Sequence, residues 1–436
     1  MKTIALIVFL GLGGYASAGY DEAEGAVRYS GDLQIKELNA LLAQSGAALV
    51  SDTRAVALLS DNQAALELFR QAAEVPNDGY LFAAKPEKVS ARTLLPKYGP
   101  KMDLFKLLLM DAKIKAEQKQ TGVAEKDLLA AAGFLAQLSA QKSAVLISRL
   151  VEERCLLKAY PVFSDSLRGS RADPSYLKEL AARLGSAAKD QDLMSSAMYE
   201  ESERAKNTVL ENVNPLSAVS ERDKLPVWKR PIIKMLQDRE YFSMVYAKFD
   251  TASDERARAL SESFRLNDPA IIEAFVKKQR QELQARKQAR GNWSVWGKWK
   301  DGFKGGPEAK IMMAEETADT LLDIAYPAYD KLVPRCHIAY CALNVLRSAL
   351  AVKLYQRGTR RLPDSLDQLV PDYLPAVPRD SFNKFAPLSY IRTGKRSFSV
   401  YSFGPDGADD KGAAGLDYDA YDEDPSSGAG DILFSD

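Results

Sequence analysis

The chain has 436 residues, a length that allows two or three domains. Hydrophobic residues make up 46% of it, which is ordinary for a globular protein, and 59 basic residues balance 59 acidic ones. The formal net charge of zero argues against nucleic acid or another general polyanion as a partner. Because the chain has one histidine, His337, a serine triad, a histidine-based zinc site or a histidine general base would each depend on that residue.

The N-terminus has the pattern of a secretory signal. Met1–Thr3 gives a charged start, an apolar run extends from Ile4 to about Tyr15, and Ala16–Ala18 is a small-x-small cleavage site. The apolar run is too short for an ordinary membrane-spanning helix. We therefore expect cleavage of residues 1–18, export to the periplasm or the extracellular space, and no transmembrane segment in the mature chain. An uncleaved N-terminal anchor is the alternative.

Residues 19–333 are predicted to form a helical body. Nearly every segment carries apolar residues at helical spacing, and the connections are short. This pattern is typical of an array of helical hairpins or of an irregular bundle. Asp173 is the predicted N-cap of a helix that begins at Pro174. The predicted helices cover 33–42, 61–74, 103–118, 125–140, 144–159, 174–187, 193–211, 228–249, 255–264, 269–289 and 308–332.

A basic segment between residues 277 and 304 is the candidate partner surface of the body. It holds nine basic residues against Glu282 and Asp301. Basic residues interleaved with tryptophans suit contact with an anionic surface or a glycan. The alternative is a loop that packs its tryptophans on the helices beside a solvated basic helix. The candidate binding residues are Trp293, Trp296, Trp299, Lys298 and Lys300.

Three cysteines, Cys155, Cys336 and Cys341, leave two interpretations open. Cys336 and Cys341 are five apart on a predicted helix, so their side chains point about 140° apart and cannot easily bond to each other. Cys155 can reach either one, because export permits disulfides. Buried free thiols are the alternative. His337 faces away from its neighbour Cys336, which is poor geometry for a thiolate and its base, so we expect a structural histidine and no catalytic residues.

Residues 334–436, here called the C-terminal module, are predicted to combine a helix with a small sheet. Apolar residues at helical spacing predict a helix over Leu346–Tyr355. Alternating residues at 388–391 and 398–402 predict a hairpin, and 431–434 can add a last strand. The predicted fold class is therefore mainly α with a small C-terminal α+β module that contains an antiparallel sheet.

An aspartate-rich segment precedes the last strand. From Asp406 to Asp436 there are ten acidic residues against one basic residue, Lys411. So many carboxylates repel each other, and a hard divalent cation would remove that repulsion. Calcium suits the segment best, because it takes about six to eight oxygens and tolerates irregular loops. The EF-hand spacing is absent from the sequence. A solvated acidic tail without an ion is the alternative.

A series of motifs in the C-terminal module carries a resemblance to a known family. The motifs are Leu362-Pro363-x-x-Leu366-x-x-Leu369-Val370, Tyr373-Leu374-Pro375, Pro378-x-Asp380, Tyr401-Ser402-x-Gly404-x-Asp406-Gly407 and Asp431-Ile432. Over residues 349–434 this series resembles the C-terminal globular domain of the type II secretion major pseudopilin. The resemblance implies a helix followed by a small antiparallel sheet, with a calcium-binding loop before the last strand.

The same resemblance implies ligands for the calcium ion. Carried over by position, they are Asp406 of the Gly-x-Asp-Gly turn and Asp431 at the start of the last strand. The loop between them is longer than in the family, so the rest of the shell stays open. The candidates for it are Asp409, Asp410 and Asp417, and beyond them Asp419, Asp422 and Asp424. The apolar N-terminal helix of a pseudopilin is not found next to the module, so we do not expect pilin-like polymerisation.

The whole chain resembles exported bacterial proteins that pair a helical region with a pseudopilin-like C-terminus, which implies an architecture and no activity. We predict an exported, non-enzymatic scaffold or interaction protein with a calcium-stabilised C-terminal module. Its partner would be a protein of the secretion or surface machinery. The alternative is a cell-envelope enzyme, a carboxylate-dependent hydrolase with two acidic residues about 5–10 Å apart in a groove of the helical body.

Overall fold

The computed structural model describes residues 18–28, 35–74, 99–140, 146–168, 172–187, 191–213, 239–266, 268–290, 307–325, 329–423 and 427–436. In this part of the chain the protein is mainly helical, with a small three-stranded antiparallel sheet near the C-terminus. The predicted fold class is confirmed. Residues 1–17, which hold most of the predicted signal, lie outside the described residues, as does the first half of the predicted helix 228–249.

The helices up to residue 187 are α1 (Ala18–Gly25), α2 (Ile35–Ala43), α3 (Gly46–Ser51), α4 (Thr53–Asp61), α5 (Gln63–Glu74), α6 (Gly99–Glu117), α7 (Thr121–Ser139), α8 (Leu146–Leu167) and α9 (Pro174–Ala187). Those that follow are α10 (Gln191–Val213), α11 (Arg239–Arg265), α12 (Ala270–Arg290), α13 (Pro307–Ala325), α14 (Tyr329–Thr359) and α15 (Tyr418–Glu423). The strands are β1 (Ser389–Arg392), β2 (Phe398–Ser402) and β3 (Ile432–Ser435).

Helix boundaries follow the sequence where a local signal sets them. α9 begins at Pro174, and Asp173 caps it, because Asp173 Oδ1 accepts a hydrogen bond from Ser175 N at 2.8 Å. The predicted end of the preceding helix at residue 159 is wrong. α8 continues through Pro161 to Leu167, with Phe163 fully buried, so packing outweighs the hydrogen bond that the proline removes.

The chain divides into two compact units. The first combines residues 1–85 and 94–191 with residues 334–436, and the second contains residues 86–93 and 192–333. The first unit therefore joins the helices α1–α9 to the C-terminal module.

One continuous hydrophobic core fills the first unit. It runs from Tyr20 and Phe134 in the N-terminal helices to Leu350 on α14 and to Phe398 and Phe434 on the sheet. Tyr20 is 2% exposed and lies two residues beyond the predicted cleavage site, so cleavage there would leave this core residue in the chain. The C-terminal module thus shares its core with the N-terminal helices.

The sheet has the order β1-β2-β3, with both pairs antiparallel. Every residue of the central strand β2 is buried, and Val400 pairs with Phe434 on β3. The end of the chain is tied to α14, because Lys353 Nζ lies 2.8 Å from Asp436 Oδ1. This helix and sheet position the acidic segment that connects β2 to β3.

The second unit is described in α10–α13. Within it α11 packs on α13, and the hydroxyl of Tyr241 lies 3.1 Å from Met313 O and 2.7 Å from Thr317 Oγ1. α12 buries Ile272 near its start, whereas Lys277 and Lys278 are exposed. These two lysines of α12 therefore face solvent.

One described stretch, Leu332–Thr359 in α14, is long and apolar enough to cross a membrane by length and composition. In the most apolar 18 residues of this stretch, 72% is buried inside the protein. The core helices of soluble proteins meet the same criterion, because a helix that is apolar on all sides is a buried one.

Candidate metal centre

The acidic loop, residues 406–431, is held against the sheet by a glycine turn. Gly404 has a φ of +75°, a left-handed conformation that glycine adopts at no steric cost. A Cβ at this position would collide with the carbonyl oxygen of Gly430, so the two ends of the loop approach closely. Asp406 Oδ2 accepts a hydrogen bond from Gly430 N at 3.4 Å. The turn therefore brings Asp406 next to the backbone that carries Asp431.

Asp431 is fully buried, and the loop encloses it. Its N–H donates to Ala414 O at 2.9 Å, and its carbonyl accepts from Leu416 N at 2.8 Å. In the side chain, Oδ2 accepts from Gly412 N at 2.7 Å. The other oxygen, Oδ1, is buried and has no hydrogen-bond partner among the described residues. A buried carboxylate oxygen in this state is costly unless a cation or an ordered water satisfies it.

The surroundings of Asp431 disfavour its ionised form. Burial raises the pKa of Asp431, the N–H groups of Gly412 and Asp410 lower it, and the charges of Asp410 and Asp409 raise it again. The net shift is upward, so ionised Asp431 destabilises the folded state at neutral pH. A bound cation would reverse this effect.

Asp409 and Asp417 organise the backbone of the loop. Asp409 Oδ1 accepts hydrogen bonds from Tyr401 Oη at 3.2 Å and from Lys411 N at 2.9 Å. Asp417 Oδ1 accepts from Ala420 N at 2.9 Å, so this side chain caps the first turn of α15. Asp409 thus holds the backbone at Lys411, and Asp417 has a capping role that the sequence did not indicate.

The described carboxylates do not form a complete metal shell. No group of three or more His, Cys, Asp or Glu side chains comes together in the described part of the chain. Asp424 and the side chains of Asp419 and Asp422 lie outside that part. Calcium sites also use backbone carbonyls and water, which the irregular loop around Asp431 can supply.

Asp380 is a structural carboxylate that sequence reasoning did not assign. It is fully buried, and its Oδ1 accepts from Ser402 Oγ at 2.6 Å and from Phe382 N at 2.9 Å. Its Oδ2 accepts from Phe403 N at 3.0 Å. Asp380 therefore fixes the end of β2 directly before the Gly404 turn. Its place in the Pro378-x-Asp380 motif was the available signal.

The cysteines and the histidine are buried in the first unit. Cys155, Cys336 and Cys341 are free thiols in the structure. His337 Nδ1 lies 3.3 Å from Ser381 Oγ, which is also 3.5 Å from Cys341 Sγ. Burial lowers the pKa of His337 to about 3 and raises the pKa of Cys341 to about 11. A neutral imidazole beside a protonated, enclosed thiol is typical of structural groups rather than of a nucleophile and its base.

The acidic loop also contacts the N-terminal helices. The rings of Tyr160 on α8 and Tyr418 on α15 lie 5.3 Å apart, and burial raises the pKa of both. A change in the conformation of the loop would therefore alter the packing of Tyr160 in the shared core.

The predicted tryptophan surface lies outside the described residues. Its members are Trp293, Trp296, Trp299, Lys298 and Lys300. The helix that leads to it, α12, is described, and its exposed side chains include Lys277, Lys278 and Arg280.

Comparison of the chain with models of known protein families, with curated proteins and with solved structures gave no match. The resemblance to the major pseudopilin therefore stays a prediction that rests on the motifs of the C-terminal module.

Proposed function

We propose that this protein is an exported, non-enzymatic scaffold whose C-terminal module is stabilised by calcium and which contacts the secretion or surface machinery. The observation that carries the calcium part is Asp431, a buried carboxylate on which the charges of Asp409 and Asp410 act. One of its oxygens has no hydrogen-bond partner among the described residues. Tyr418 connects the same loop to the body of the first unit. Calcium would thus fix the conformation of the acidic loop on one surface of a helical scaffold.

Asp431 would hold the ion together with backbone carbonyls of the loop and water, and Asp406 would fix the turn beside it. Bound calcium would supply positive charge to carboxylates that repel each other. With the ion bound, the ionised form of Asp431 would stabilise the folded state, whereas without the ion it destabilises it. The glycine turn at Gly404 would shape the site, because it allows the two ends of the loop to approach each other closely.

Calcium should raise the stability of the mature protein, and Asp431→Asn should remove that response. Sites of extracellular modules bind calcium at about 0.1–1 mM, so about 10 mM calcium should add about 1.4–2.7 kcal/mol to the free energy of unfolding. The measurement is thermal unfolding of residues 19–436 in EDTA and in calcium. Without calcium, the variant should be at least as stable as the wild type, because the amide carries no charge and still accepts from Gly412 N.

Asp372→Asn is the matched control for this experiment. Asp372 is an exposed aspartate of the same module, outside the acidic loop. The control variant should respond to calcium as the wild type does. An unchanged melting temperature of the wild type in calcium, or an equal loss of response in both variants, would contradict the calcium proposal.

The exposed basic residues of α12 are the proposed contact with an anionic surface. Lys277, Lys278 and Arg280 are exposed, and Glu282 is the acidic residue among them, 3.8 Å from Lys278 Nζ. A chain with zero net charge concentrates positive charge here, which attracts an anionic surface over about a Debye length.

The mature protein should therefore bind vesicles that contain about 30% phosphatidylserine at low salt and release them at about 0.5 M salt. Lys277→Glu with Lys278→Glu should weaken the binding about tenfold or more, measured by cosedimentation. The control is Lys395→Glu with Arg396→Glu, two exposed basic residues of the C-terminal module. Equal losses in both double variants, or no binding at low salt, would show that α12 is not the contact.

A further inference from the structure

A cavity of about 300 Å³ lies in the first unit, away from the acidic loop. It is formed where α3, α6, α7, α8 and α9 meet, and its apolar walls include Ala116, Leu128 and Val162. This volume is at the small end of the range for ligand sites in proteins. It suits a compact molecule rather than a polymer.

The ionisable groups that line the cavity are mostly acidic. Glu117, Glu125 and Asp165 face a single amine, that of Lys113. Lys113 Nζ is already used, because it donates to the carbonyl of Leu42 at 2.9 Å and to the carbonyl of Gln44. The cavity therefore has an excess of negative charge.

Among these carboxylates, Glu125 has the negative charge that is least balanced by partner groups or solvent. Its carboxylate is half-buried and forms no hydrogen bond or ion pair among the described residues. Burial raises the pKa of Glu125, and the charge of Asp173 raises it further. Glu117 and Asp165, in contrast, are exposed, and Asp165 pairs with Arg168 at 2.9 Å. A cation inside the cavity would therefore interact most strongly with Glu125.

Tyr176 adds an independent sign of a missing partner. Its side chain is 7% exposed and lines the cavity, and within the described residues its hydroxyl has no hydrogen-bond partner of good geometry. Ser166 lies near it, but the Ser166 hydroxyl donates to Phe163 O at 2.8 Å. The charge of Glu125 also acts on Tyr176, so the two groups are close to each other. Native proteins seldom leave a buried hydroxyl unsatisfied, which points to a ligand.

We propose that this cavity binds a small organic cation, a protonated primary amine on a compact apolar body. The ammonium donates hydrogen bonds to the Glu125 carboxylate and to the Tyr176 hydroxyl oxygen, and the apolar body packs on Leu128 and Val162. A neutral or anionic molecule of the same shape would leave Glu125 uncompensated. This inference does not depend on the calcium site.

The first test is calorimetric titration of the mature protein, residues 19–436, with 2-phenylethylamine at neutral pH in EDTA. The amine should bind one site with a Kd of about 1 mM or tighter. The isosteric alcohol 2-phenylethanol should bind about tenfold or more weakly, since it lacks the charge-assisted hydrogen bond. Equal binding of amine and alcohol, or no binding of the amine up to about 10 mM, would overturn the proposal.

Variants then locate the binding. Glu125→Gln should weaken amine binding about tenfold or more without loss of stability, because Glu125 has no partner to lose among the described residues. Tyr176→Phe should weaken it several-fold. The matched controls are Glu22→Gln, an exposed carboxylate on α1, and Tyr160→Phe, a buried tyrosine that faces Tyr418.

Both controls should bind the amine as the wild type does, and so should Asp431→Asn, which separates this site from the acidic loop. An unaltered Kd in Glu125→Gln would contradict the proposal, and so would an equal loss in Glu125→Gln and Glu22→Gln. If Tyr176→Phe fails to fold, the comparison of the two glutamate variants still decides the question.

Discussion

Replacing Arg70 by alanine should lower the free energy of unfolding of the first unit by about 3–5 kcal/mol. Arg70 Nε lies 2.6 Å from Asp127 Oδ1, and Nη2 lies 2.8 Å from Asp111 Oδ2. The two carboxylates are 0% and 4% exposed, so both depend on charged partners inside the protein. Burial raises the pKa of Asp127 even with Arg70 present. The variant would leave Lys115, 2.6 Å from Asp111, to compensate both charges.

The measurement is urea unfolding followed by tyrosine signals in near-UV circular dichroism. All four tryptophans lie between residues 192 and 333, so tryptophan fluorescence reports on the second unit instead. Arg54→Ala is the matched control, because Arg54 is 65% exposed and pairs with Asp52 at 2.8 Å. An exposed pair of this kind is worth at most about 1 kcal/mol.

A second variant separates charge from packing. Asp127→Asn added to Arg70→Ala should recover part of the lost stability, because it removes one of the two buried charges. If Arg70→Ala costs no more than Arg54→Ala, the ion network is not what joins α5, α6 and α7.

Local signals explain the parts of the fold that the sequence could predict. The pair Asp173–Pro174 marks the start of α9, because the aspartate accepts the hydrogen bond of a free N–H and the proline needs none. The strands β1 and β2 follow from alternation of apolar residues at 388–391 and 398–402. In each case the decisive residues are within a few positions of one another.

Contacts that are distant in sequence explain what could not be predicted. α14 is 31 residues long, although Pro334 lies inside it and the spacing of apolar residues predicted a helix of about ten. Tyr160 and Tyr418 meet across more than two hundred and fifty positions, and nothing in either neighbourhood indicates the other. In the sequence Arg70 and Asp127 look like solvated charges on two helices, but in the structure they pair at 2.6 Å and Asp127 is 0% exposed.

In the candidate metal centre, too, some features can be predicted from local sequence and others depend on distant contacts. The Gly-x-Asp-Gly turn and Asp431 are readable as motifs, and their proximity follows from Gly404 and its contact with Gly430. Asp431 Oδ1 has no hydrogen-bond partner among the described residues, and Asp417 caps α15. Both features depend on how the loop folds over β3, which composition does not specify. The cavity around Glu125 has no local signal, because five helices contribute to it.

Phe134→Ala should also lower the free energy of unfolding of the first unit by about 3–5 kcal/mol. Phe134 is fully buried on α7, and its ring lies 5.0 Å from that of Phe69, 5.3 Å from that of Tyr20 and 5.3 Å from that of Phe105. The variant loses the transfer free energy of the ring and leaves a cavity that three rigid aromatic neighbours cannot fill. Phe385→Ala is the control, because Phe385 is 45% exposed and should cost less than about 1 kcal/mol.

Tyr20 belongs to this cluster and lies close to the predicted cleavage site, so the cluster can test whether α1 is part of the folded core. Its hydroxyl donates to Gln137 Oε1 at 2.8 Å, so Tyr20→Phe should cost about 1 kcal/mol, less than the loss of a ring. In a chain that starts at Gly19, Phe134→Ala and Tyr20→Phe should each lower the free energy of unfolding by the amounts given above. A chain that starts after α1 should be less stable before any substitution, and Phe134→Ala should then cost less. If Phe134→Ala costs the same with and without α1, Tyr20 does not pack on this core, and the helix that follows the predicted cleavage site is not one of its elements.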